Sequence, residues 1–204
     1  TITYTILTGT YRDLVIEANW TPNTNEVIFN GNGATSGNMD NQQIKTDASS
    51  ALTSNEFERD GYTFAGWSTT QSGQVEYTNQ ATYLMGTNST YTLYAVWTPN
   101  LNTIIFDGNG STSGSMENQQ AYSDSEVQLN SNEYQKEGYT FVGWSLTKNG
   151  NVDFLDNEVF KVGIKNIYTV YAVWINGDTF LINNEKEFNA LTTLDYNSFN
   201  EIKL

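Results

Sequence analysis

The turn sequence DGNGSTSG at residues 107–114 has oxygen-bearing side chains that could bind a calcium ion. Asp107, Asn109 and Ser111 stand at alternate positions, as the first ligands of an EF-hand loop do. Such a loop also requires glycine at its sixth position and glutamate at its twelfth, where this chain has threonine and asparagine. A related stretch, NGNGATSG, begins with Asn30 in place of the aspartate. The sequence therefore favours a tight turn without a metal ion.

Two pairs of carboxylates could in principle perform acid–base catalysis: Glu58 with Asp60, and Asp153 with Asp156. The chain has no histidine and no cysteine, so a histidine-dependent triad, a thiolate nucleophile and a Cys/His zinc site are excluded. We interpret the carboxylates as a solvated acidic surface. The sequence thus predicts a protein without enzymatic activity and without a cofactor.

The charge balance limits the classes of partner. The chain has 9 Lys and Arg residues against 23 Asp and Glu residues, a formal net charge of -14. Such a surface repels polyanions, so we expect no nucleic-acid partner. The apolar runs are short beside the roughly 20 residues that span a bilayer, so we expect no membrane insertion. Because the chain lacks an initiator methionine and a leader, we expect it to be an internal piece of a longer protein.

An internal repeat accounts for most of the chain. Residues 24–100 align with 101–177 without a gap, and about 35 of the 77 aligned positions are identical. The octapeptide GYTFAGWS at 61–68 returns as GYTFVGWS at 138–145. Glycines and aromatic residues are identical between the copies, whereas many polar positions differ. The shared residues are those that form turns and hydrophobic cores. We therefore interpret the octapeptide as part of the structural framework and not as a functional site.

Each repeat is predicted to be mainly β, or α+β, because Thr, Tyr, Val and Phe are frequent and Asn-Gly turns separate them. In the first copy we predict five strands, at the start of 26–37 and at 38–46, 61–69, 74–78 and 89–97. Residues 47–57 are predicted to form a brief helix capped by Asp47, with Leu52 and Phe57 facing the core.

The strand within GYTFAGWST poses a question of side-chain direction. Strict alternation places Tyr62 and Phe64 on one face and Trp67 on the other. Either the strand is buried on both faces, or Gly66 forms a bulge that turns Trp67 inward. We favour the bulge.

The last strand of the repeat occurs three times. It ends in a tryptophan each time, at Trp20, Trp97 and Trp174. One register of this strand is apolar in all three copies and is predicted to be buried. The other register has Glu17 and Asn19 in the first copy but Tyr94 and Tyr171 in the later copies. We therefore predict that Tyr94 and Tyr171 stand at the surface, where they could contact a partner.

A unit of about 77 residues is small, so a few large side chains must supply its core. We predict that the repeated aromatic residues fill the core and do not form a platform on which sugars stack. The predicted core residues are Phe29, Tyr62, Phe64, Trp67, Trp97, Phe106, Tyr139, Phe141, Trp144 and Trp174.

The repeat divides the chain into four segments. Residues 1–22 are the C-terminal end of a truncated repeat, 23–99 and 100–177 are repeat units, and 178–204 begin a different, truncated module. Four-residue links, TPNT and TPNL, follow the terminal tryptophans, and each contains a proline that stiffens it. The last segment predicts a strand and then an Asn-capped helix, with Phe188, Leu191 and Leu194 at helical spacing.

The motifs IIFDGNGSTSGSMENQQ, GYTFVGWS and YTVYAVW together resemble the Listeria–Bacteroides repeat family, which is related to the B-repeat of listerial internalins. The resemblance covers roughly 25–97 and 102–174, with the last strand again at 9–20. It implies small β-grasp-like units in tandem in large secreted or wall-anchored bacterial proteins, and hence an extracellular location at the cell surface or cell wall. The family implies no catalytic residues. One departure is that the Pro-rich lead often seen before the GYTF strand is missing.

The sequence and the resemblance together predict a non-enzymatic surface protein whose repeats act as a spacer or stalk. The repeats would also make weak contacts with a host or cell-surface protein, with a glycan, or with one another. One alternative is a carbohydrate-binding array that uses Tyr94 and Tyr171. Another is an accessory region of a larger secreted enzyme.

Overall fold

The computed structural model describes residues 9, 17–176, 179–182, 184–191 and 201–203. This part of the chain contains two similar β units, the first repeat (24–100) and the second repeat (101–177). The first repeat has strands β1 (Thr24–Asn30), β2 (Gln42–Lys45), β3 (Ser49–Ala51), β4 (Tyr62–Ser68), β5 (Thr82–Leu84) and β6 (Thr90–Pro99). The second has β7 (Leu101–Asp107), β8 (Gln119–Tyr122), β9 (Glu126–Gln128), β10 (Tyr139–Ser145), β11 (Val159–Lys161) and β12 (Ile167–Asn176). A C-terminal segment adds β13 (Thr179–Leu181), α1 (Glu185–Leu191) and β14 (Glu201–Lys203).

Each repeat is built on a four-stranded mixed sheet. The strand order is β2-β1-β6-β4 in the first repeat and β8-β7-β12-β10 in the second. The two central strands are parallel, and each edge strand is antiparallel to its neighbour. Parallel neighbours require a long crossover connection, and the chain uses it to form a small two-stranded sheet, β3 with β5 or β9 with β11.

The core of each repeat lies between the four-stranded sheet and the small sheet. Val27 and Phe29 of β1 and Leu93 of β6 are buried, and they alternate with part-exposed residues, as in a sheet with one packed face. Tyr83 of β5 and the nearby Leu52 pack against them from the opposite side. The apolar register predicted to be buried in the last strand is confirmed in the two repeats, where Leu93, Ala95, Val170 and Ala172 are buried. It is wrong for the described end of the first copy, where Trp20 is 86% exposed.

The predicted bulge in the GYTF strand is confirmed in both repeats. In the first, the pairing of β4 with β6 shifts between Phe64 and Gly66, so Ala65 is an extra residue. Gly66 has a φ of 152°, and a Cβ added there would lie 2.5 Å from the carbonyl oxygen of Tyr77. The bulge brings Trp67 onto the face of Phe64, where the two rings pack at 4.9 Å between centroids.

The helix predicted at 47–57 is wrong. Asp47 has a φ of 60° and lies in a turn, and β3 follows it. Leu52 is buried, as predicted, but from extended backbone. A helix this short would gain few internal hydrogen bonds, whereas here the Gln42 side chain donates to the Ala51 carbonyl at 2.8 Å. Pairing and side-chain contacts therefore replace the helical bonds.

The strand limits also change. Residues 74–78 do not form a full strand; only Tyr77 forms a bridge with Trp67. The sequence did not predict β5, since three residues with only Tyr83 buried are too short to show an alternation. β6 runs past the predicted end, to Pro99.

The two repeats are joined more directly than by the predicted four-residue link. β6 ends at Pro99 and β7 begins at Leu101, so Asn100 alone lies between them. The Asn100 N–H donates to the Gly61 carbonyl at 2.9 Å, and the Asn100 carbonyl accepts from the Ser123 N–H at 2.9 Å. Because it is bonded to both repeats, this residue restricts bending at the link.

The Asn cap predicted for the C-terminal helix is confirmed. The Asn184 Oδ1 atom accepts a hydrogen bond from the Glu187 N–H at 2.8 Å. Phe188, the first of the three residues at helical spacing, is 52% exposed. Leu194 lies outside the described residues, as does most of the predicted truncated repeat at 1–22.

Candidate functional site

The tryptophan of each octapeptide lies at the centre of a core. Trp67 and Trp144 are 0% exposed. The rings of Phe29 and Phe64 have centroids 4.9 Å from that of Trp67, and Trp144 has two phenylalanine neighbours at 5.0 and 5.1 Å. These two neighbours are Phe141 and Phe106. Because Trp67 and Trp144 are completely buried, a sugar could not stack on their indole rings.

The terminal tryptophans close the core and fix the Asn-Gly turns. Trp97 is half-buried and packs against Phe64 with centroids 5.6 Å apart. Its Nε1 atom donates to the Gly31 carbonyl at 2.9 Å. Trp174 makes the same bond to Gly108 at 2.8 Å. One side chain thus joins the end of β6 or β12 to the turn after β1 or β7.

The placement of Tyr62 and Tyr139 in the core is wrong. Tyr139 is 45% exposed, Tyr62 is half-buried, and neither belongs to a core cluster. The reason is position: β4 begins at Tyr62, which pairs with the end of β6 beside the next repeat. The Tyr62 hydroxyl donates to Asp124 of the second repeat at 2.9 Å, with the Arg59 guanidinium 3.8 Å above its ring. Tyr62 is a junction residue.

We expect the phenol of Tyr62 to titrate above its ordinary pKa of 10.0. The hydrogen bond to Asp124 raises this pKa most, burial and the charge of Asp124 add to it, and Arg59 lowers it in part. A pKa that is higher in the folded state means that the contact is fully present below about pH 10 and is lost as the pH rises through the folded pKa. An NMR titration of the Tyr62 ring measures this directly.

The matched variant for that titration is Asp124→Asn, which keeps the size of the side chain and removes its charge. It should move the pKa of Tyr62 down towards the ordinary value. If the pKa stays where it was, the two repeats do not meet at this contact.

The Asn-Gly turns use their polar atoms to hold the turn. Asp107 Oδ1 accepts from the Asn109 N–H at 2.7 Å, and Asn109 Nδ2 donates to the Ala172 carbonyl at 2.9 Å. Asn109 has a φ of 47°, a left-handed conformation that asparagine tolerates. Across the described residues, no three acidic side chains converge as they would around a metal ion. The arrangement is that of an Asx turn.

Three of the four candidate catalytic carboxylates accept hydrogen bonds from separate segments of the chain. Glu58 accepts a hydrogen bond from a serine hydroxyl at 3.1 Å. Asp153 accepts from the Leu146 N–H at 2.7 Å, and Asp156 accepts from the Asn132 N–H at 2.9 Å. Since Asp153 and Asp156 are bonded to different segments, this pair does not face one reacting group.

Glu76 of the first repeat is equivalent to Asp153 of the second repeat, and it likewise accepts hydrogen bonds that close a turn. It accepts from the Thr69 N–H at 2.8 Å and from the Ser68 hydroxyl at 3.0 Å. The bonds from Thr69 and then Ser68 hold the pKa of Glu76 below its ordinary 4.5. A general acid needs the opposite shift, and the hydrogen bonds of Glu76 are those of a residue that closes a turn.

Sequence reasoning missed a set of amide side chains that hold irregular backbone. Asn25 is buried and donates to the Thr46 hydroxyl at 2.9 Å and to the Gly86 carbonyl at 2.8 Å. The signal was available, because these amides are identical between the copies. They are Asn25 and Asn102, Asn32 and Asn109, Gln42 and Gln119, and Asn55 and Asn132.

The face of each four-stranded sheet that points away from the core, here called the back face, is the main candidate surface. Tyr94 and Tyr171 both lie on it and are half-buried, so they are less exposed than an open platform would be. In the second repeat α1 covers part of this face, where Ala190 packs with Val142 and Val152. Among the described residues, no helix covers the back face of the first repeat.

Polar contacts fix α1 on the second repeat. The Val152 N–H donates to Glu187 at 3.3 Å, and the Asn184 side chain donates to the Val152 carbonyl at 3.4 Å. Lys186 forms an ion pair with Glu158. Burial alone would raise the pKa of Glu158, but Lys186 and a backbone N–H outweigh it and lower that pKa. The contact is therefore specific in both charge and shape.

Differences between the copies match this contact. At three positions the second repeat has the larger apolar residue: Val142 for Ala65, Leu155 for Thr78, and Ile175 for Thr98. Val152 is 2% exposed, whereas the identical residue of the first repeat, Val75, is 41% exposed. Some of the sequence differences between the two copies are thus explained by the contact of the second repeat with α1.

Ala190→Asp should release α1 from the back face, because a carboxylate would be placed where a methyl group is 2% exposed. We expect a loss of about 2–4 kcal/mol in docking free energy, seen as faster amide exchange in α1 and β10. Phe188→Asp is the control on the exposed side of the helix and should change neither rate. Equal effects of the two substitutions would contradict the docked position.

Comparison with known proteins identifies two relatives in Evansella cellulosilytica. A protein named "Putative Gly-rich membrane protein" is 35% identical over 124 residues, which cover 57% of this chain and 14% of that protein. A protein named "Putative membrane protein" is 28% identical over 173 residues, which cover 83% of this chain and 25% of that protein. The chain therefore spans a quarter or less of these relatives. Its one described helix is far too short to cross a bilayer.

The sequence model of the Listeria-Bacteroides repeat domain matches residues 26–96 and 103–173. The first match begins within β1 and ends within β6, and the second begins within β7 and ends within β12. The two matches thus coincide with the two sheets and their cores. By this match, the chain belongs to the Listeria-Bacteroides repeat domain family.

Proposed function

We propose that this chain is a non-enzymatic spacer region of a bacterial cell-surface protein, which also makes weak adhesive or self-associating contacts. The observation that carries the proposal is the junction. β6 continues into β7 through the single residue Asn100, which is bonded to both repeats, and Tyr62 meets Asp124 across the boundary. Domains joined in this way hold a distance, and a flexible linker does not.

The proposal includes a division into modules. Residues 1–22 would end a preceding repeat, 23–99 and 100–177 would be β-grasp-like units of about 77 residues, and 178–204 would begin a different module. The parallel central pair with antiparallel edges and a covering small sheet supports a β-grasp-like unit. A relation to the internalin B-repeat is part of the same proposal.

The surface location rests on the relatives, both of which are named membrane proteins and are several times longer than this chain. A spacer in such a protein would present a distal domain outside the cell. The absence of enzymatic activity is supported by Glu58, Asp153 and Asp156, whose carboxylates accept hydrogen bonds from separate segments. The adhesive part relies on repetition, since several weak contacts on one string gain through effective concentration.

The spacer role can be tested by distance measurements between two spin labels. The chain has no cysteine, so Asp40→Cys and Glu117→Cys on exposed, equivalent positions of the two repeats give one defined pair. We expect a narrow distance distribution. Inserting Gly-Gly-Ser after Asn100 should broaden it, whereas the same insertion after Gln71, within a turn of the first repeat, should not. A native distribution as broad as that of the Asn100 insertion would refute the spacer.

A glycan array tests the adhesive partner. The native chain can be compared with the double variant Tyr94→Ala and Tyr171→Ala. If the native chain binds a glycan, and the variant loses this binding while its melting temperature is unchanged, the chain is a carbohydrate-binding array and not a spacer. Since both tyrosines are half-buried in the back face, we expect no such loss.

A further inference from the structure

The second repeat has an apolar cleft whose lining residues differ from the equivalent residues of the first repeat. It lies between β11 and the first residues of β12 and has a volume of about 610 Å³, within the range of ligand sites. We call it the lysine cleft; its exposed lining is Leu146, Val159, Ile164, Ile167, Lys161 and Lys165. The four aliphatic side chains are each about half exposed.

The floor of the lysine cleft is rigid. Phe160 packs edge-on against Phe154 and Tyr168, with centroids 5.3 Å apart in both pairs. Phe160 is buried in the core of the second repeat. A partner would therefore meet a preformed surface, so little ordering entropy would oppose binding.

The scaffold itself does not require this lining. The first repeat forms the same sheet with threonine at the four aliphatic positions: Thr69, Thr82, Thr87 and Thr90. The two lysine positions are Leu84 and Asn88 in the first repeat. Exposing four aliphatic side chains together is unfavourable in water and is typical of an interaction surface.

The charge of the cleft indicates the chemistry of its partner. The lining of the cleft includes two lysines and no acidic residue, although Glu126 of β9 pairs opposite Lys161. A positive cleft on a surface of net charge -14 favours an anionic partner over a neutral or basic one. The aliphatic lining requires that this partner also carry apolar groups.

The strand arrangement indicates the shape of the partner. β10 pairs with β12 only from Tyr171 onward, and β7 pairs with β12 on its other side. The stretch from Ile167 to Val170 therefore lies along the cleft without a strand of the four-stranded sheet on that side. An extended polypeptide can lie along such an edge, with alternate side chains directed towards the cleft.

We propose that the lysine cleft binds an extended polypeptide segment in which aliphatic side chains are flanked by carboxylates. The aliphatic groups cover Leu146, Val159 and Ile167, and the carboxylates pair with Lys161 and Lys165. This deepens the adhesive part of the proposed function and rests on it; the spacer part is tested separately, by the label distances. The first repeat would not bind such a segment, because its cleft positions are threonine, leucine and asparagine.

The test uses the full chain and a dye-labelled, end-blocked peptide Glu-Val-Ile-Val-Glu, followed by fluorescence anisotropy. We expect saturable binding that weakens at least ten-fold in the triple variant Leu146→Thr, Val159→Thr and Ile167→Thr. The first repeat has threonine at the same positions, so the fold should tolerate the variant, and its melting temperature verifies this. Ile164 is left unchanged because it lies against Gly61 at the junction.

Charge reversal tests the carboxylate pairing. Lys161→Glu with Lys165→Glu should abolish binding of Glu-Val-Ile-Val-Glu and create binding of Lys-Val-Ile-Val-Lys. The converse graft places the lining on the first repeat, with Thr69→Leu, Thr82→Val, Thr90→Ile, Leu84→Lys and Asn88→Lys. It should add a second site of similar affinity.

Three results would each overturn the proposal. The first is equal binding by the native chain and the triple variant. The second is equal binding of the polar peptide Glu-Ser-Thr-Ser-Glu, which would reduce the site to charge alone. The third is saturable binding of decanoate at the cleft with no peptide binding, which would make it a site for small amphiphiles. Narrow label distances alongside any of these would leave the spacer role intact.

Discussion

Trp144→Ala should unfold the second repeat at a temperature where the first repeat remains folded. Trp144 is 0% exposed and packs against Phe106 and Phe141. Truncating a buried aromatic side chain costs about 3–5 kcal/mol, because apolar contact is lost and a cavity remains. A domain of this size has a total stability of about 5–15 kcal/mol, towards the low end, so one residue removes much of the margin.

Amide exchange resolved by repeat is the measurement. Protection of β7, β10 and β12 should fall to that of a globally unstable unit, and protection of β1, β4 and β6 should change little. Trp20→Ala is the control, because Trp20 ends the same strand motif but is 86% exposed. It should change stability by less than about 0.5 kcal/mol. A Trp144→Ala variant with the same melting temperature as the native chain would contradict the conclusion that the octapeptide forms the core.

Gly143→Ala is expected to be nearly as damaging, although it adds only one methyl group. The added Cβ would lie 2.5 Å from the Phe154 carbonyl oxygen and 2.6 Å from a Val152 methyl carbon. That carbonyl accepts the N–H of Trp144 at 2.8 Å, so moving it away breaks the bond that seats the central side chain. With a φ of 148° adding backbone strain, we expect a loss of about 3 kcal/mol or more.

Gly138→Ala is the matched control within the same octapeptide. Gly138 also has a positive φ, 75°, but a Cβ there would meet no atom within 4 Å. Only the left-handed strain remains, about 1–2 kcal/mol. Urea denaturation of the two variants separates strain from collision. Equal midpoints would mean that the bulge has room for a side chain, contrary to the geometry at Gly143.

Most features of the fold that depend on residues close together along the chain could be predicted from the sequence. The alternation that buries Leu93 and Val170 has a period of two residues and appears in every copy of the strand. The bulge at Gly66 could be predicted because strict alternation would place Trp67 on the opposite face of the strand from Phe64, and a glycine between them permits a bulge. The helix at 47–57 failed because its residues owe their extended backbone to β5, a partner more than thirty residues away. Local propensity cannot include such a partner.

The roles of surface residues were harder to predict from the sequence, because residues that are identical in the two repeats can have different environments. Tyr62 and Tyr139 are identical, and identity alone does not separate a core residue from one that meets the next repeat. Identical amides such as Asn25 could not be assigned a role from the sequence, because their hydrogen-bond partners, Thr46 and Gly86, are distant along the chain. Several positions that differ between the copies lie on distinct surfaces: Leu155 and Ile175 lie near α1, and Leu146 and Ile167 line the lysine cleft.

By itself the sequence determined the repeat, its family, its alternating strands and the buried tryptophans, because these depend on spacing along the chain. Only the tertiary structure decided that Tyr62 belongs to a junction, that α1 covers one back face, and that two lysines and four aliphatic residues share one cleft. Those facts depend on which distant segments meet in space. The meeting is set by the crossover between the parallel strands, whose path a linear pattern does not reveal.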